Sequence, residues 1–214
     1  MRKFLWNLTW LIMRPALVIF CHFQVKGTEN LKDLKKPFIA AIATHATYID
    51  GYIVGAGFDF NTEVFPLRYM TVERYIKMPI LGTILKTYGA FPVRLGLGVE
   101  SGTELAHTLL KKGDAIGMFI EGKLSKDGNN NHPKPGAAYL SIKSGFPVLP
   151  ISLTGNFGFN LSSFIFRKKY VTITFNKPIY PRELGFSYKE NPGIKEDEVD
   201  QLTQLIMAKI KENL

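Results

Sequence analysis

Apolar positions along this chain follow two alternating spacings from residue 38 to the carboxyl end. Short apolar or alternating runs predict strands at 38–43, 64–70, 90–93, 115–120, 148–153 and 171–175. Apolar residues at helical spacing predict helices at 47–57, 73–88, 102–112, Gly136–Ser144 and Glu196–Lys211. Strands that alternate with helices form mainly parallel sheets with helices on both faces. The predicted fold class is therefore α/β, a mainly parallel mixed sheet flanked by helices.

The amino-terminal segment has a different pattern, because residues 4–23 are almost continuously apolar and contain Trp6 and Trp10. A signal peptide is one alternative, but no small-residue cleavage site follows the apolar run. A membrane-spanning helix is a second, since the length is near the roughly 20 residues required, yet Arg14 and Pro15 interrupt it. An interfacial helix, or a broken helix pair, matches the composition best. A helix packed on the domain is the remaining alternative.

These patterns divide the chain into a membrane-associating segment, residues 1–26, and a single α/β domain, residues 27–214. The length of 214 residues is enough for one substantial core, and 46% hydrophobic residues exclude a disordered chain. The basic start of the apolar segment predicts a monotopic or peripheral protein on the cytoplasmic face of a membrane. A single cysteine, Cys21, excludes an intramolecular disulfide and suits a reducing compartment.

The net charge of +9 favours anionic partners: nucleic acid, a lipid surface or a phosphorylated substrate. The basic residues are scattered or in short runs, and no nucleic-acid-binding motif is present, so we expect anionic membrane lipids and no nucleic acid. No cysteine pair or His-x-x-x-His spacing indicates a metal site. No dinucleotide or Walker loop indicates a nucleotide, so we expect neither a metal nor a cofactor.

His45 and Asp50 stand five positions apart, directly after the predicted strand 38–43. Within one helix, residues five apart differ by roughly 140° and face different ways. The two can meet only if His45 precedes the helix and Asp50 lies in its first turn, at a carboxyl end of a strand where α/β proteins place reactive groups. There a histidine can act as a general base while the carboxylate holds its other ring nitrogen. The structural alternative is a capping box, with Thr47 as N-cap and Asp50 reaching back to its amide.

Three later segments, taken with His45 and Asp50, resemble the four motifs of the glycerolipid acyltransferases, the lysophosphatidate acyltransferase family. They are Gly89-Ala-Phe-Pro-Val-Arg94, Phe119-Ile-Glu-Gly-Lys-Leu-Ser125 and Val148-Leu-Pro-Ile-Ser152. The run Gly27-Thr-Glu-Asn-Leu31 resembles the block that precedes the first motif in that family. The resemblance covers residues 27–152 and rests on five blocks in the same order.

The resemblance implies an enzyme of phospholipid biosynthesis that acylates the free hydroxyl of a lysophosphatidate-type acceptor. The acyl donor would be a thioester, either acyl-CoA or acyl-acyl-carrier protein. His45 would take the proton of the acceptor hydroxyl, and Asp50 would fix the tautomer of the imidazole. The developing oxyanion needs donors, for which the Glu121-Gly122 turn is a candidate.

The resemblance also implies residues that bind the substrate. Arg94 and Lys123 would hold the phosphate of the acceptor. Glu121 would bind glycerol hydroxyls or orient a cation, with a strand-end carboxylate paired to a lysine as the structural alternative. Gly122 would supply a turn or let the backbone approach the ligand.

The sequence departs from the family pattern at two motifs. Thr44 stands where the family usually has asparagine, and the third motif has Ile120, Lys123 and Leu124 where the family has proline, threonine and arginine. Two alternatives therefore stay open. One is an acyltransferase for another lysolipid acceptor, and the other is a non-catalytic, basic membrane-binding relative.

Overall fold

The computed structural model describes residues 2–94, 96–122, 124–125, 133–158, 162, 164, 166, 169–186 and 193–214. Seven strands form one sheet within these ranges: β1 (Gln24–Lys26), β2 (Ile39–Ala43), β3 (Leu67–Val72), β4 (Phe91–Val93), β5 (Ala115–Phe119), β6 (Val148–Thr154) and β7 (Thr172–Phe175). The helices are α1 (Arg2–Cys21), α2 (Asp50–Gly57), α3 (Glu73–Ile76), α4 (Pro79–Thr87), α5 (Gly98–Lys111), α6 (Gly136–Ser144) and α7 (Glu196–Lys211). Two 3₁₀ turns span Thr28–Leu31 and Pro181–Leu184.

The sheet has the strand order β1-β7-β6-β2-β5-β3-β4. The five strands from β6 to β4 are mutually parallel, whereas β7 runs antiparallel to β6 and β1 runs parallel to β7. The predicted α/β class with a mainly parallel mixed sheet is confirmed. Five parallel strands therefore end at one side of the sheet, which we call the carboxyl-terminal edge. The opposite side, where they begin, is the amino-terminal edge.

The central strand β2 shows why both faces of the sheet are covered. Every residue of β2 is buried, and successive side chains point to opposite faces. Ala40 and Ile42 join the core that α1 and α2 cover, whereas Ile39 and Ala41 join the core beneath α5, α6 and α7. A strand buried on both sides is the expected product of a continuous apolar run.

Several predicted boundaries differ from the observed ones, and proline explains two of them. The region predicted as one helix, 73–88, is two helices, because Pro79 forces the preceding Met78 into an extended conformation. The strand predicted at 64–70 begins only after Pro66, whose nitrogen cannot donate to a sheet. The helix predicted at 102–112 already begins at Gly98. The short strand β1 was not predicted, because three residues carry too little periodicity.

Helix α1 is continuous through Pro15, so of the two forms predicted, one helix or a broken pair, the structure has one helix. It packs against α2 and buries Trp6, Leu17 and Cys21 in the core. Its opposite side exposes large apolar side chains at helical spacing: Phe4, Leu8, Leu11, Ile12, Val18 and Ile19. By length and composition alone, α1 could cross a membrane, a test that a signal sequence also passes.

The basic residues of α1 contact the domain. The guanidinium of Arg14 donates to the carbonyl of Ala56, near the end of α2, at 2.7 Å. Arg2 pairs with Asp114 at 2.7 Å. These contacts anchor α1 to the domain.

Candidate active site

Polar side chains from four parallel strands gather where those strands end. His45 follows β2, Glu73 follows β3, Arg94 follows β4 and Glu121 follows β5. All four line one open groove of about 1850 Å³ at the carboxyl-terminal edge. Ligand sites of open α/β sheets lie at this edge, so the groove is the first candidate for chemistry.

His45 lines this groove and contacts Asp50, which is buried behind it. The Nδ1 atom of His45 lies 3.0 Å from Oδ2 of Asp50, with His45 before α2 and Asp50 in its first turn. A carboxylate can only accept, so Nδ1 carries the proton in this bond and Nε2 is left as the basic nitrogen. The side chain of Asp50 is fully buried, whereas that of His45 stays partly exposed to the groove.

The carboxylate of Asp50 accepts hydrogen bonds from other donors besides the imidazole of His45. Oδ2 accepts from the amides of Ala46 and Thr47 at 2.7 and 2.8 Å, and Oδ1 accepts from the hydroxyl of Thr47. The amide contact with Thr47 is the one that a capping box would make, although the N-cap of α2 is Ile49. Asp50 therefore serves the backbone and the imidazole together. Five donors, counting His45 and Asn156, compensate for removing this charge from water.

Asn156 is the main residue of the site that the sequence did not indicate. It lies just after β6, is buried, and donates through Nδ2 to Oδ1 of Asp50 at 3.1 Å and to the carbonyl of Thr44 at 2.9 Å. One amide thus ties the residue before His45 to the carboxylate that holds its ring. A polar residue directly after a buried strand was the available signal, but its partner lies 106 positions away.

The imidazole is also fixed from its face. The ring of His45 stacks on Phe119, the last residue of β5, with 3.9 Å between centroids and 19° between planes. Phe119 in turn stacks on Tyr69 at 6.1 Å. Burial raises the pKa of the Tyr69 hydroxyl, which donates to the carbonyl of Gly51. The stack limits rotation of the imidazole and so keeps Nδ1 directed at Asp50.

Glu121 is buried and bonds to the residues His45 and Ser125, which lie on two different segments of the chain. Its Oε1 accepts from the amide of His45 at 2.9 Å, and its carboxylate is also bonded by Ser125, whose amide donates to the carbonyl of His45. Burial raises the pKa of Glu121, and the bond from the His45 amide partly opposes that rise. The structure thus gives Glu121 a positioning contact with His45, beside the substrate contact that the resemblance implies.

The remaining predicted binding residues differ in position. Arg94 is exposed on the groove wall and pairs with Glu73 at 3.3 Å. Gly122 adopts a φ of +67° and forms a turn in which its amide donates to the carbonyl of Phe119. Lys123 lies outside the described residues. Two cations that the sequence did not single out, Arg74 and Lys134, also line the groove.

This arrangement can remove a proton from a bound group and stabilise the positive charge that the imidazole then carries. A neutral imidazole held through Nδ1 presents Nε2 as a base, and the buried carboxylate stabilises the imidazolium that forms. Within the described parts of the chain, no group of three or more His, Cys, Asp or Glu side chains is arranged to hold a metal ion.

The chain matches a known protein family and shares its fold with a solved structure. The family model described as Acyltransferase matches residues 22–154, which contain His45, Asp50, Arg94 and Glu121 and end two positions before Asn156. The crystal structure of the 1-acyl-sn-glycerophosphate (LPA) acyltransferase PlsC from Thermotoga maritima superposes with a TM-score of 0.69 and 21% identity. It covers 99% of this chain, which covers 78% of that one. This likeness shows a shared fold.

Two curated relatives are 1-acyl-sn-glycerol-3-phosphate acyltransferases. The chloroplastic protein BAT2 of Brassica napus is 27% identical over 167 residues, which cover 75% of this chain and 46% of the relative. The protein of Borreliella burgdorferi is 23% identical over 167 residues, covering 75% of this chain and 64% of the relative. The match thus spans less than two thirds of the length of each of these two relatives.

Proposed function

Because the chain belongs to the acyltransferase family, we propose that it transfers a fatty acyl group from an acyl thioester to the free hydroxyl of a lysophosphatidate-type acceptor. The observation that carries the proposal is the contact of 3.0 Å between His45 Nδ1 and Asp50 Oδ2 on the groove. This contact leaves Nε2 of the imidazole as the basic nitrogen, which is what acyl transfer to a hydroxyl requires. The reaction is a step of phospholipid biosynthesis.

In the proposed reaction, Nε2 of His45 takes the proton of the acceptor hydroxyl as its oxygen attacks the thioester carbonyl. The tetrahedral intermediate collapses with loss of the thiolate, which takes the proton back from the imidazolium and leaves as a thiol. Asp50 stabilises the imidazolium between these steps. General base catalysis of this kind contributes roughly 10²–10⁴ in rate.

We propose that Arg94 holds the phosphate of the acceptor, with Lys123 as a second cation. Arg94 lies on the same groove as His45, and its pairing with Glu73 leaves the guanidinium largely exposed. A phosphate can therefore replace or share that partner at small cost, since exposed ion pairs contribute about 0–1 kcal/mol. Glu121 and the turn at Gly122 flank the same groove, where glycerol hydroxyls would bind.

We further propose that the protein is monotopic on the cytoplasmic leaflet, held by α1 and attracted to anionic lipid. The outer side of α1 exposes six large apolar side chains, and α1 contains no acidic residue. The net charge of +9 supports attraction to anionic headgroups. This location brings the groove to a lipid acceptor that is scarcely soluble in water.

The experiment that tests the function uses the purified full chain, with acyl-CoA or acyl-acyl-carrier protein as donor and a panel of lysolipid acceptors. We expect new diacyl product with lysophosphatidate, and the donor that supports it identifies the thioester used. The variant Arg94→Ala should raise the KM of the acceptor far more than that of the donor. A preference for uncharged acceptors would contradict the phosphate assignment, and no product with any pair would contradict the proposed function.

A further inference from the structure

Helix α4 exposes an apolar surface beside the groove. We define the α4 face as Met78, Ile80, Leu81 and Ile84, which lie on and just before this helix. Ile80 is 79% exposed and the other three are also exposed. Soluble surfaces carry single apolar side chains routinely, but four large ones together at one short helix mark an interaction site.

The two hydroxyl groups of α4 are already satisfied within the helix. The hydroxyl of Thr83 donates to the carbonyl of Pro79 at 2.7 Å, and that of Thr87 donates to the carbonyl of Thr83 at 2.8 Å. Neither hydroxyl hydrogen therefore needs water as a partner. These two hydroxyls therefore add no unpaired donor when this side of the helix contacts an apolar medium.

Only one residue of α4 is buried, and it fixes the helix at close range. That residue is Gly82, where an added Cβ would lie 2.2 Å from the carbonyl oxygen of Ile76. The contact of α4 with α3 through a glycine leaves the larger side chains directed outward or into the groove. The exposure of the α4 face is therefore built into the fold.

The charges around the α4 face indicate what kind of surface would bind there. Between positions 73 and 94 there are four basic residues and one acidic residue, and α4 itself contains no carboxylate. The one acidic residue, Glu73, already pairs with Lys77 and Arg94. An apolar face with a basic rim matches a bilayer surface that contains anionic lipid.

The α4 face is continuous with the groove, since Met78 and Leu81 belong to both. The end of α4 also contacts α1, because the indole nitrogen of Trp6 donates to the carbonyl of Tyr88 at 3.0 Å. A lipid chain that leaves a bilayer touching the α4 face would reach the groove without crossing water.

From these observations we propose that the α4 face is a second membrane contact, separate from α1, which seats the groove on an anionic bilayer. The assignment of lipid substrates to this groove rests on the proposed function, but the contact itself does not. The partner is the bilayer surface. An acidic carrier protein that delivers the acyl group is the competing occupant, and the experiment separates the two.

The test measures binding of the full chain to vesicles of phosphatidylcholine with and without phosphatidylglycerol. The variant Ile80→Glu/Ile84→Glu places charge on the α4 face at residues that do not line the groove. Leu184→Glu is the matched control, since Leu184 and Ile84 are 45% and 44% exposed and Leu184 lies outside this surface. We expect binding of the double variant to fall at least about tenfold, with the control unchanged. Ile80→Ser/Ile84→Ser should show a smaller loss, because it removes apolar area without adding charge.

Equal vesicle binding by the wild type and the α4 variants, with unchanged melting temperatures, would overturn the proposal. So would a selective rise in the KM for acyl-acyl-carrier protein without any loss of vesicle binding, since that result assigns the α4 face to the carrier. Acyl transfer to a short-chain, water-soluble lysolipid tests the enzyme separately. We expect the α4 variants to retain that activity, and its absence in the wild type would contradict the proposed function without affecting the binding result.

Discussion

Asp50 and Asp114 lie at opposite edges of the same sheet. Their partners differ, and the difference explains why one carboxylate takes part in the proposed reaction whereas the other stabilises the fold. Asp114 precedes β5 at the amino-terminal edge and pairs with two arginines, Arg2 at 2.7 Å and Arg68 at 3.0 Å. Asp50 follows β2 at the carboxyl-terminal edge, and its ionisable partner is a histidine. Arginine keeps its charge at every physiological pH, whereas histidine can gain and lose a proton.

The two carboxylates also differ in what surrounds them. Burial opposes ionisation of Asp114, but hydrogen bonds from Arg68 and Arg2 outweigh it and hold its pKa below the usual range. Asp50 is completely buried and takes four of its five hydrogen bonds from neutral backbone and side-chain groups. Permanently charged arginines therefore pair with Asp114 and join α1 to the sheet. At the groove, Asp50 pairs with a histidine, whose charge can change.

The largest effect should come from His45. In His45→Ala, turnover should fall by roughly 10²–10⁴ because the base is lost. The free energy of unfolding should stay within about 1–2 kcal/mol of wild type, since the ring is partly exposed. Steady-state kinetics and thermal melts of the same preparation measure both. Near-normal turnover would remove His45 from the mechanism.

Asp50→Asn should lose activity and stability together. The amide nitrogen would face donors that now point at a carboxylate oxygen, so we expect a loss of about 1–3 kcal/mol in the free energy of unfolding. Turnover should also fall, by about a hundredfold or more, because the imidazole loses its orienting acceptor. If only the stability changed, Asp50 would be a helix cap without a role in the reaction, and the contrast with Asp114 would not hold.

Asn156→Leu should reduce kcat by about tenfold to a hundredfold, the equivalent of one lost hydrogen bond to a charged group. The KM values should hardly change, because Asn156 does not line the groove. Asn176→Leu is the matched control: Asn176 is also a buried amide, and it bonds Pro150 and Ser152 away from the histidine. The two variants should lose similar stability. Equal kcat values in both would show that Asn156 is merely structural.

The smallest effect on activity should come from Asp114→Asn. It should lower the free energy of unfolding by about 1–2 kcal/mol at neutral pH and leave turnover unchanged. A carboxylate whose pKa is lowered by folding stabilises above its unfolded pKa and loses that contribution as the pH falls. The gap between wild type and variant should therefore be full above about pH 5 and shrink below about pH 4. Urea unfolding across this range measures it, and a gap independent of pH would contradict the pairing.

The sequence could predict what is local in this molecule. Apolar periodicity located most helices and strands, and the five-residue spacing predicted that His45 precedes a helix whose first turn carries Asp50. The shared edge of the sheet followed from the parallel class, because each candidate residue comes just after a strand. The order of the motifs was enough to bring Arg94 and Glu121 to the same groove.

The sequence could not predict the contacts that depend on which distant segments the sheet brings together. The contact of Asn156 with Asp50 joins residues 106 positions apart, and that of Arg2 with Asp114 joins residues 112 apart. Periodicity does not encode strand order, so neither pair was visible. The exposure of the α4 face was hidden for a similar reason, since apolar spacing alone does not tell a buried side of a helix from an exposed one.

The proposed activity requires His45 and Asp50 to act as one unit, and a double-mutant measurement of kcat shows whether they do. Residues that work as a unit are strongly non-additive, so removing the second should cost little once the first is gone. We predict that His45→Ala/Asp50→Asn has the same kcat as His45→Ala alone, within about twofold. A double variant slower by the full product of the two single effects would show that the residues act independently, and would contradict the pair as the source of activity.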